Sequence, residues 1–589
     1  MRRLSLHIFL LVLCSLLAFP LGARKYVFHM EDYGIRPGEF DLTSLVEKFL
    51  REHQPKFTPE DRVVLRFQPG TYHFHSREAS ERETYISNHD QWQPRRIVFD
   101  FRGWHNLTID GGGALFIFHG IVVPLALSHS SDCTLRNFSI DYARPRMTPL
   151  EILESDTLRG ITFRVPEWAD CTTHDDRFQT ADEGIREYPV CGMAFDTATS
   201  HLVYRAGEFE IDTRGVRRLD DRTFAAPRWR NATLRPGMVV AARTWSRPTP
   251  AIFLDECKRT KVKDVRVHYA YGMGLLAQRC EDVTLKGFSV CLRDKSRYAT
   301  THADATHFSQ CKGRIVSTHG LYEGMMDDAI NVHGVYLRVR ERLDDHTLLC
   351  AFEHEQAYGF NWGNTGDSVQ FIHSRTMETF GKNTIAAIRP HDRRELCGMH
   401  VFRVEFAEAL PPEVSAEGEG IGLENLTWHP EVVFSHNIVR NNRARGALFS
   451  SPRRTVCERN LFDHVSGSAI LLCGDCNGWY ESGACRDLVI RKNKFVNCLT
   501  NYFQFTNAVI SIYPEIPDLE AQQQYFHRNI RIEDNEFVYF DRPLLYAKSV
   551  DGLVFRRNRI KSSDEFAPFH WNTEPIRLEH VRGAQISDY

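Results

Sequence analysis

The chain has 589 residues, 42% of them apolar, enough to bury a large core in one elongated domain or in several compact ones. Lys and Arg number 73 against 76 Asp and Glu, a formal charge of −3 with no long run of either sign. This balance argues against steering towards nucleic acid or an acidic polymer and leaves a neutral substrate as the expectation.

Met1-Arg2-Arg3, the apolar stretch Leu4 to Phe19 and Pro20-Leu21-Gly22-Ala23 have the charged, hydrophobic and small-residue parts of a secretory signal peptide, expected over 1–23. A lipoprotein signal ending at Cys14 is the rival, though Leu13 stands where a small residue is usual. No later stretch is apolar enough to span a bilayer. The expected location is periplasmic or secreted, soluble or surface-anchored.

The mature chain opens with Tyr26 to His29, the amphipathic stretch Leu42 to Glu52 and the strands around Val63 to Phe67 and Tyr72 to Phe74. These predict a cap and first coils over 24–149. The segments 150–247 and 335–429 break the rhythm with short alternating strands such as Ile161 to Val165 and Phe402 to Phe406, and read as inserted β domains. Coils are expected again over 248–334 and 430–589. In the last third Asn437, Asn460, Asn493, Asn535 and Asn558 each close a β-branched run, 23, 33, 42 and 23 residues apart. A unit of 23 residues with loops inserted fits a parallel β-helix, whose coils bury apolar positions only by stacking. Asparagine suits the turn because it tolerates left-handed backbone and its side chain reaches the next coil. Cys257, Cys280 and Cys311 recur at 23 and 31 residues in similar contexts. Cys473 and Cys476, with Cys485 and Cys498 nearby, lack the spacing of a zinc site with a second pair, so disulfides or buried thiols are expected and no metal.

Aligning coils by their strands puts Gly274, Asp304, Asp328, Gly446 and Ser468 at one leading position. Coils stack about 4.8 Å apart, so Asp304 and Asp328 are expected to be close neighbours, with Asp327 beside them. Like charges held that close cost stability unless something compensates. A fold gains little from them; a hydrolase uses them, one as acid and one or two to activate water. The expected division is Asp304 with Asp328 on the water and Asp327 as acid. A turn cap for each aspartate and a calcium site are the bland alternatives. His302, His307, Asn331 and His333 crowd the same region as candidate substrate contacts, and Trp362 is a candidate sugar-stacking ring or part of the insert's core.

The opening of the mature chain resembles pectate-lyase-like β-helix proteins, in which a helix covers the first coil. An aspartate and an Asp-Asp pair on neighbouring coils resemble polygalacturonases, although their Gly-His-Gly has only an echo in Val332-His333-Gly334. No basic run flanks the aspartates, which disfavours a polyuronate. Asp32-Tyr33-Gly34, His302-Ala-Asp304-Ala-Thr-His307, Met326-Asp327-Asp328-Ala-Ile-Asn331-Val-His333-Gly334 and the two inserts together resemble glycoside hydrolase family 110, secreted bacterial exo-acting α-1,3-galactosidases. That resemblance implies an all-β fold, a right-handed parallel β-helix with two small inserted β-barrels. It implies inverting hydrolysis with no metal or cofactor, Asp304, Asp327 and Asp328 as catalytic residues, and terminal α-1,3-galactose on an oligosaccharide or glycoconjugate as substrate. The galactose belongs to blood group B structures, linear Gal-α-1,3-Gal or both, with a slight lean towards an enzyme that accepts the linear form. A pectin-directed hydrolase or lyase and a non-catalytic glycan-binding β-helix remain as alternatives.

Overall fold

The computed structural model describes residues 24–391, 401–415 and 420–589. The expected signal peptide, 1–23, lies outside the described residues. Thirty-two strands form one continuous parallel-stacked sheet system, and each coil returns to pair with the coil before it. The face that matters for function stacks Leu275–Gln278 on Thr306–Ser309, then on Ile330–Val335, Ala447–Phe449, Ile470–Leu472 and Ile510–Ile512. Each coil adds one inward row, and one apolar core runs from Met30 to Phe555. Phe462, Phe495 and Phe537 show the principle: their rings stack 5.3 and 4.8 Å apart along the axis. The helix Thr43–His53 turns Val46, Phe49 and Leu50 onto the first coils, covering their open end.

The asparagines form a ladder. Asn460 Oδ1 accepts the Asn437 backbone N–H at 2.9 Å, Asn493 does the same for Asn460 at 2.9 Å, Asn535 for Asn493 at 3.0 Å and Asn558 for Asn535 at 3.0 Å. The left-handed residue of each turn is the one before the asparagine, with φ of 57° at His436 and Arg459, 56° at Lys492, 59° at Asp534 and 53° at Arg557. The expectation that asparagine itself takes the left-handed angle is therefore corrected: its amide, not its backbone tolerance, accounts for it here. The repeating cysteines are buried thiols that reach back one coil, Cys257 to Leu127 O at 3.2 Å, Cys280 to Leu254 O at 3.5 Å and Cys311 to Ala277 O at 3.4 Å. All the described cysteines, Cys473, Cys476, Cys485 and Cys498 included, are free.

Two β units interrupt the coils. The first is a seven-stranded antiparallel sheet between Thr148–Asp156 and Met238–Arg243, with a three-stranded sheet beside it and a core of Phe163, Phe178, Phe224 and Trp229. The second, from Leu337–Asp344 to Ile421–Asn425, closes as a six-stranded barrel. Trp362 lies inside this barrel, 0% exposed, its indole N–H donating to Val335 O at 2.8 Å. It cannot stack on a sugar; the polar N–H is satisfied by backbone and the ring fills the core.

Candidate active site

The register on the functional face is Thr306 beside Ile330 beside Ala447 beside Ile470. Two residues before each strand, this places Asp304, Asp328, Arg445 and Ser468 at one level. Asp304 and Asp328 are stacked as expected, but Gly274 and Gly446 sit one residue further along than the sequence alignment put them. Glycine is needed there for a different reason: a Cβ on Gly274 would meet Ala305 O at 2.6 Å, and one on Gly446 would meet Ala469 O at 2.5 Å. The shift puts a guanidinium, which the sequence reading missed, next in the aspartate row.

Arg445 closes on Asp328. Its Nη2 donates to Asp328 Oδ2 at 3.0 Å, its Nε is 3.0 Å from Oδ1 and its backbone N–H donates to Oδ1 at 3.2 Å. Burial works against the Arg445 charge, and Asp328, Asp327 and Asp304 overcome it. Asp328 is thus the anionic half of a buried ion pair, 0% exposed. Its backbone N–H also donates to Asp304 Oδ1 at 3.3 Å.

Above this row opens a cavity of about 300 Å³. Asp304 and Asp327 line it, with His302, His307, Asn331, Glu481 and Asp475; Asp328 and His333 lie behind the wall. Trp245, Trp479, Phe503 and Phe505 form an aromatic rim. The first insert contributes Arg243 at the end of its last strand, and the chain leaving it contributes Trp245 and Arg247. The barrel lends support from behind: His354 stacks on Trp479 at 4.2 Å, and Gln356 O accepts the Asn88 N–H at 2.7 Å.

A chain of buried hydrogen bonds decides where one proton sits. His333 Nδ1 lies 2.6 Å from Gly334 O, which only accepts, so Nδ1 carries hydrogen. Burial lowers both His333 and His307 to about 4, so both rings are neutral at pH 7. His333 Nε2 is then bare and accepts from His307 Nε2 at 2.8 Å. That leaves His307 Nδ1 bare, 2.6 Å from Asp304 Oδ2, and only a protonated Asp304 can complete this bond. The electrostatics agree: burial, then the charge of Asp327, push Asp304 well above the usual carboxyl range.

Asp327 is placed differently. Burial pushes it up, but Arg445, Arg443, Arg247 and Arg243 outweigh this and hold it below the usual range. Its Oδ1 accepts no hydrogen bond from the described residues, and the nearest cation is Arg445 Nη2 at 3.6 Å. One ligand oxygen from each of the three aspartates lies within 4.8 Å of the others. Oxygen donors suit calcium, but this set already holds Arg445 between Asp327 and Asp328, and the other arginines would oppose a second cation.

The arginines correct the expectation that no basic cluster lies near the aspartates. They come from the chain around the first insert and from the coil after the second, so no local run announced them. Arg243 and Arg443 share Glu208, at 2.5 and 2.9 Å, and Arg445 is bound to Asp328, so most of their charge is matched within the protein. Of the expected substrate contacts, His302, His307 and Asn331 line the cavity, and His302 Nδ1 and Asn331 Oδ1 have no hydrogen-bond partner there. His333 instead sets the proton of His307.

Comparison with known proteins adds an independent line. A family model described as GLAA-B beta-barrel domain II matches residues 347–417, within the closed barrel. "Alpha-1,3-galactosidase B" of Bacteroides fragilis (strain YCH46) is 51% identical over 98% of both chains. "Alpha-1,3-galactosidase B" of Phocaeicola vulgatus is 52% identical over 97% of this chain and 96% of its own. "Alpha-1,3-galactosidase A" of the same Bacteroides fragilis strain is more distant, 32% identical over 89% and 86%. The chain belongs to the family of these bacterial α-1,3-galactosidases, glycoside hydrolase family 110.

Proposed function

We propose that the chain is an exo-acting α-galactosidase that removes terminal α-1,3-linked galactose from oligosaccharides and glycoconjugates, with inversion at the anomeric carbon. The observation that carries this reading is the division of protons between two carboxyls facing one cavity. Asp304 gives its proton to the glycosidic oxygen as the bond to C1 breaks, and Asp327 takes a proton from the water that attacks C1. Each carboxyl suits its task because its surroundings push its proton affinity the opposite way. Asp328 does not face the sugar; it is a positioning residue that anchors Arg445 and holds Asp304 through its backbone N–H. His302 and Asn331 offer unpaired polar atoms to sugar hydroxyls, and the aromatic rim offers apolar faces to the rest of the glycan. Matched arginine charges favour a neutral galactoside over a polyuronate.

The leader-like start places this activity in the periplasm or outside the cell; no described helix is long and apolar enough to cross a membrane. Both linear Gal-α-1,3-Gal and the fucose-branched blood group B structure are proposed substrates. One observation favours a second stereochemistry: carboxyls about 5–5.5 Å apart are typical of retaining enzymes, and inverting pairs usually stand about 6.5–9.5 Å apart. In that reading Asp327 is a nucleophile. A proton NMR time course on both galactosides and on polygalacturonate tests the proposal. Expected is galactose from the galactosides, appearing first as the β anomer, and no product from polygalacturonate. First appearance as the α anomer assigns retention, and products from polygalacturonate alone reject the galactosidase reading.

A further inference from the structure

Away from the catalytic cavity, a second cavity of about 240 Å³ opens where the first insert meets the C-terminal coils. His201 and Glu565 line it, and His464 stands beside them. The three come from separate parts of the chain: the first insert after Cys191–Asp196, the end of the strand Leu461–Asp463, and the segment after Arg559–Ser562. One ligand atom from each lies within 4.8 Å of the others.

The donors are oriented from behind. Asp463 Oδ1 lies 2.6 Å from His464 Nδ1 and only accepts, so Nδ1 carries hydrogen. His464 Nε2 faces Glu565 Oε1 at 3.0 Å. The other Glu565 oxygen accepts from Asn497 Nδ2 at 2.5 Å, which fixes the carboxylate. The His201 ring lies over His464, centroids 3.8 Å apart, and makes no hydrogen bond with any described residue. Two imidazoles this close repel when both are charged, and nothing in the protein uses the His201 nitrogens.

We propose that His201, His464 and Glu565 bind a divalent transition cation of the zinc type, tying the first insert to the C-terminal coils. Two imidazole nitrogens and one carboxylate oxygen are a zinc donor set, and a carboxylate behind a ligating histidine is the usual device for fixing its tautomer. The fourth position faces the cavity. The site is separate from the aspartates and does not depend on the galactosidase reading.

The test is calorimetric titration of the chelator-treated full-length protein with zinc chloride, alongside thermal unfolding with and without zinc. Expected are one zinc per chain and a higher Tm with zinc. His464→Ala and Glu565→Gln weaken binding by about 100-fold or more, and Asp463→Asn by about 10–100-fold. Glu565→Gln guards against misfolding, because its side chain is 40% exposed and an amide oxygen still accepts from Asn497. Asp304→Asn binds zinc like the wild type. Absence of zinc binding by the wild type at millimolar concentration overturns the proposal. So does unchanged binding by Glu565→Gln, or loss of binding in Asp304→Asn alone, which would move the metal to the catalytic aspartates.

Discussion

The asparagine ladder and the aspartate row are both stacks of polar side chains on successive coils, yet they solve opposite problems. Each asparagine carries a donor and an acceptor, so every rung satisfies its neighbour and the stack stays neutral. Ionised aspartates only accept. The row at Asp304, Asp328 and Arg445 is tolerable because one member carries a proton, one is paired with a guanidinium, and Asp327 stands beside the row among arginines. The ladder stabilises the fold; the row stores a difference in proton affinity.

The contrast can be broken from the chemical side first. Asp304→Asn and Asp327→Asn are each expected to lower kcat/KM on Gal-α-1,3-Gal by roughly 10²–10⁴-fold, read from initial rates of galactose release, with thermal unfolding close to wild type for Asp304→Asn. Asp328→Asn should differ in kind. It strands the Arg445 charge in the interior and is expected to cost about 3–5 kcal/mol of stability, measured by denaturant unfolding; normal stability would remove Asp328 from its structural role.

Asn493→Ala is expected to lower stability by about 1–3 kcal/mol for each buried group it orphans, chiefly the Asn460 amides and Cys457 O, while leaving kcat unchanged. The smallest effect is a shift rather than a loss. Asp304 must be protonated to act, so activity is lost as pH rises through its raised pKa. His307→Gln replaces a bare ring nitrogen with an amide able to donate, which favours ionised Asp304 and lowers its pKa. The basic limb of the kcat/KM profile should move to lower pH, and an unmoved limb would contradict the hydrogen-bond chain.

Much of this contrast was legible in the sequence. Identical spacing and template gave the ladder, and the same coil register brought Asp304 beside Asp328. Arg445 was hidden by a single residue, because Gly446 looked like a natural anchor although its role is to let Ala469 O approach. Arg243 and Arg247 were hidden by distance along the chain, since only the path of the first insert returns them to the aspartates. Trp362 misled because a tryptophan beside glycine and asparagine looks exposed, and the carbonyl that satisfies its N–H is 27 residues away. The acid and base could not be told apart either: neighbouring positions reveal three carboxyls, and only the directions of the bonds through His307 and His333 reveal which one keeps a proton.

That assignment has a direct test: the rates of Asp304→Asn and Asp327→Asn on Gal-α-1,3-Gal compared with an aryl α-galactoside whose leaving group needs no proton. Asp304→Asn should recover much of its lost rate on the aryl substrate, and Asp327→Asn should stay impaired on both. Recovery by Asp327→Asn instead would make Asp327 the acid and contradict the account.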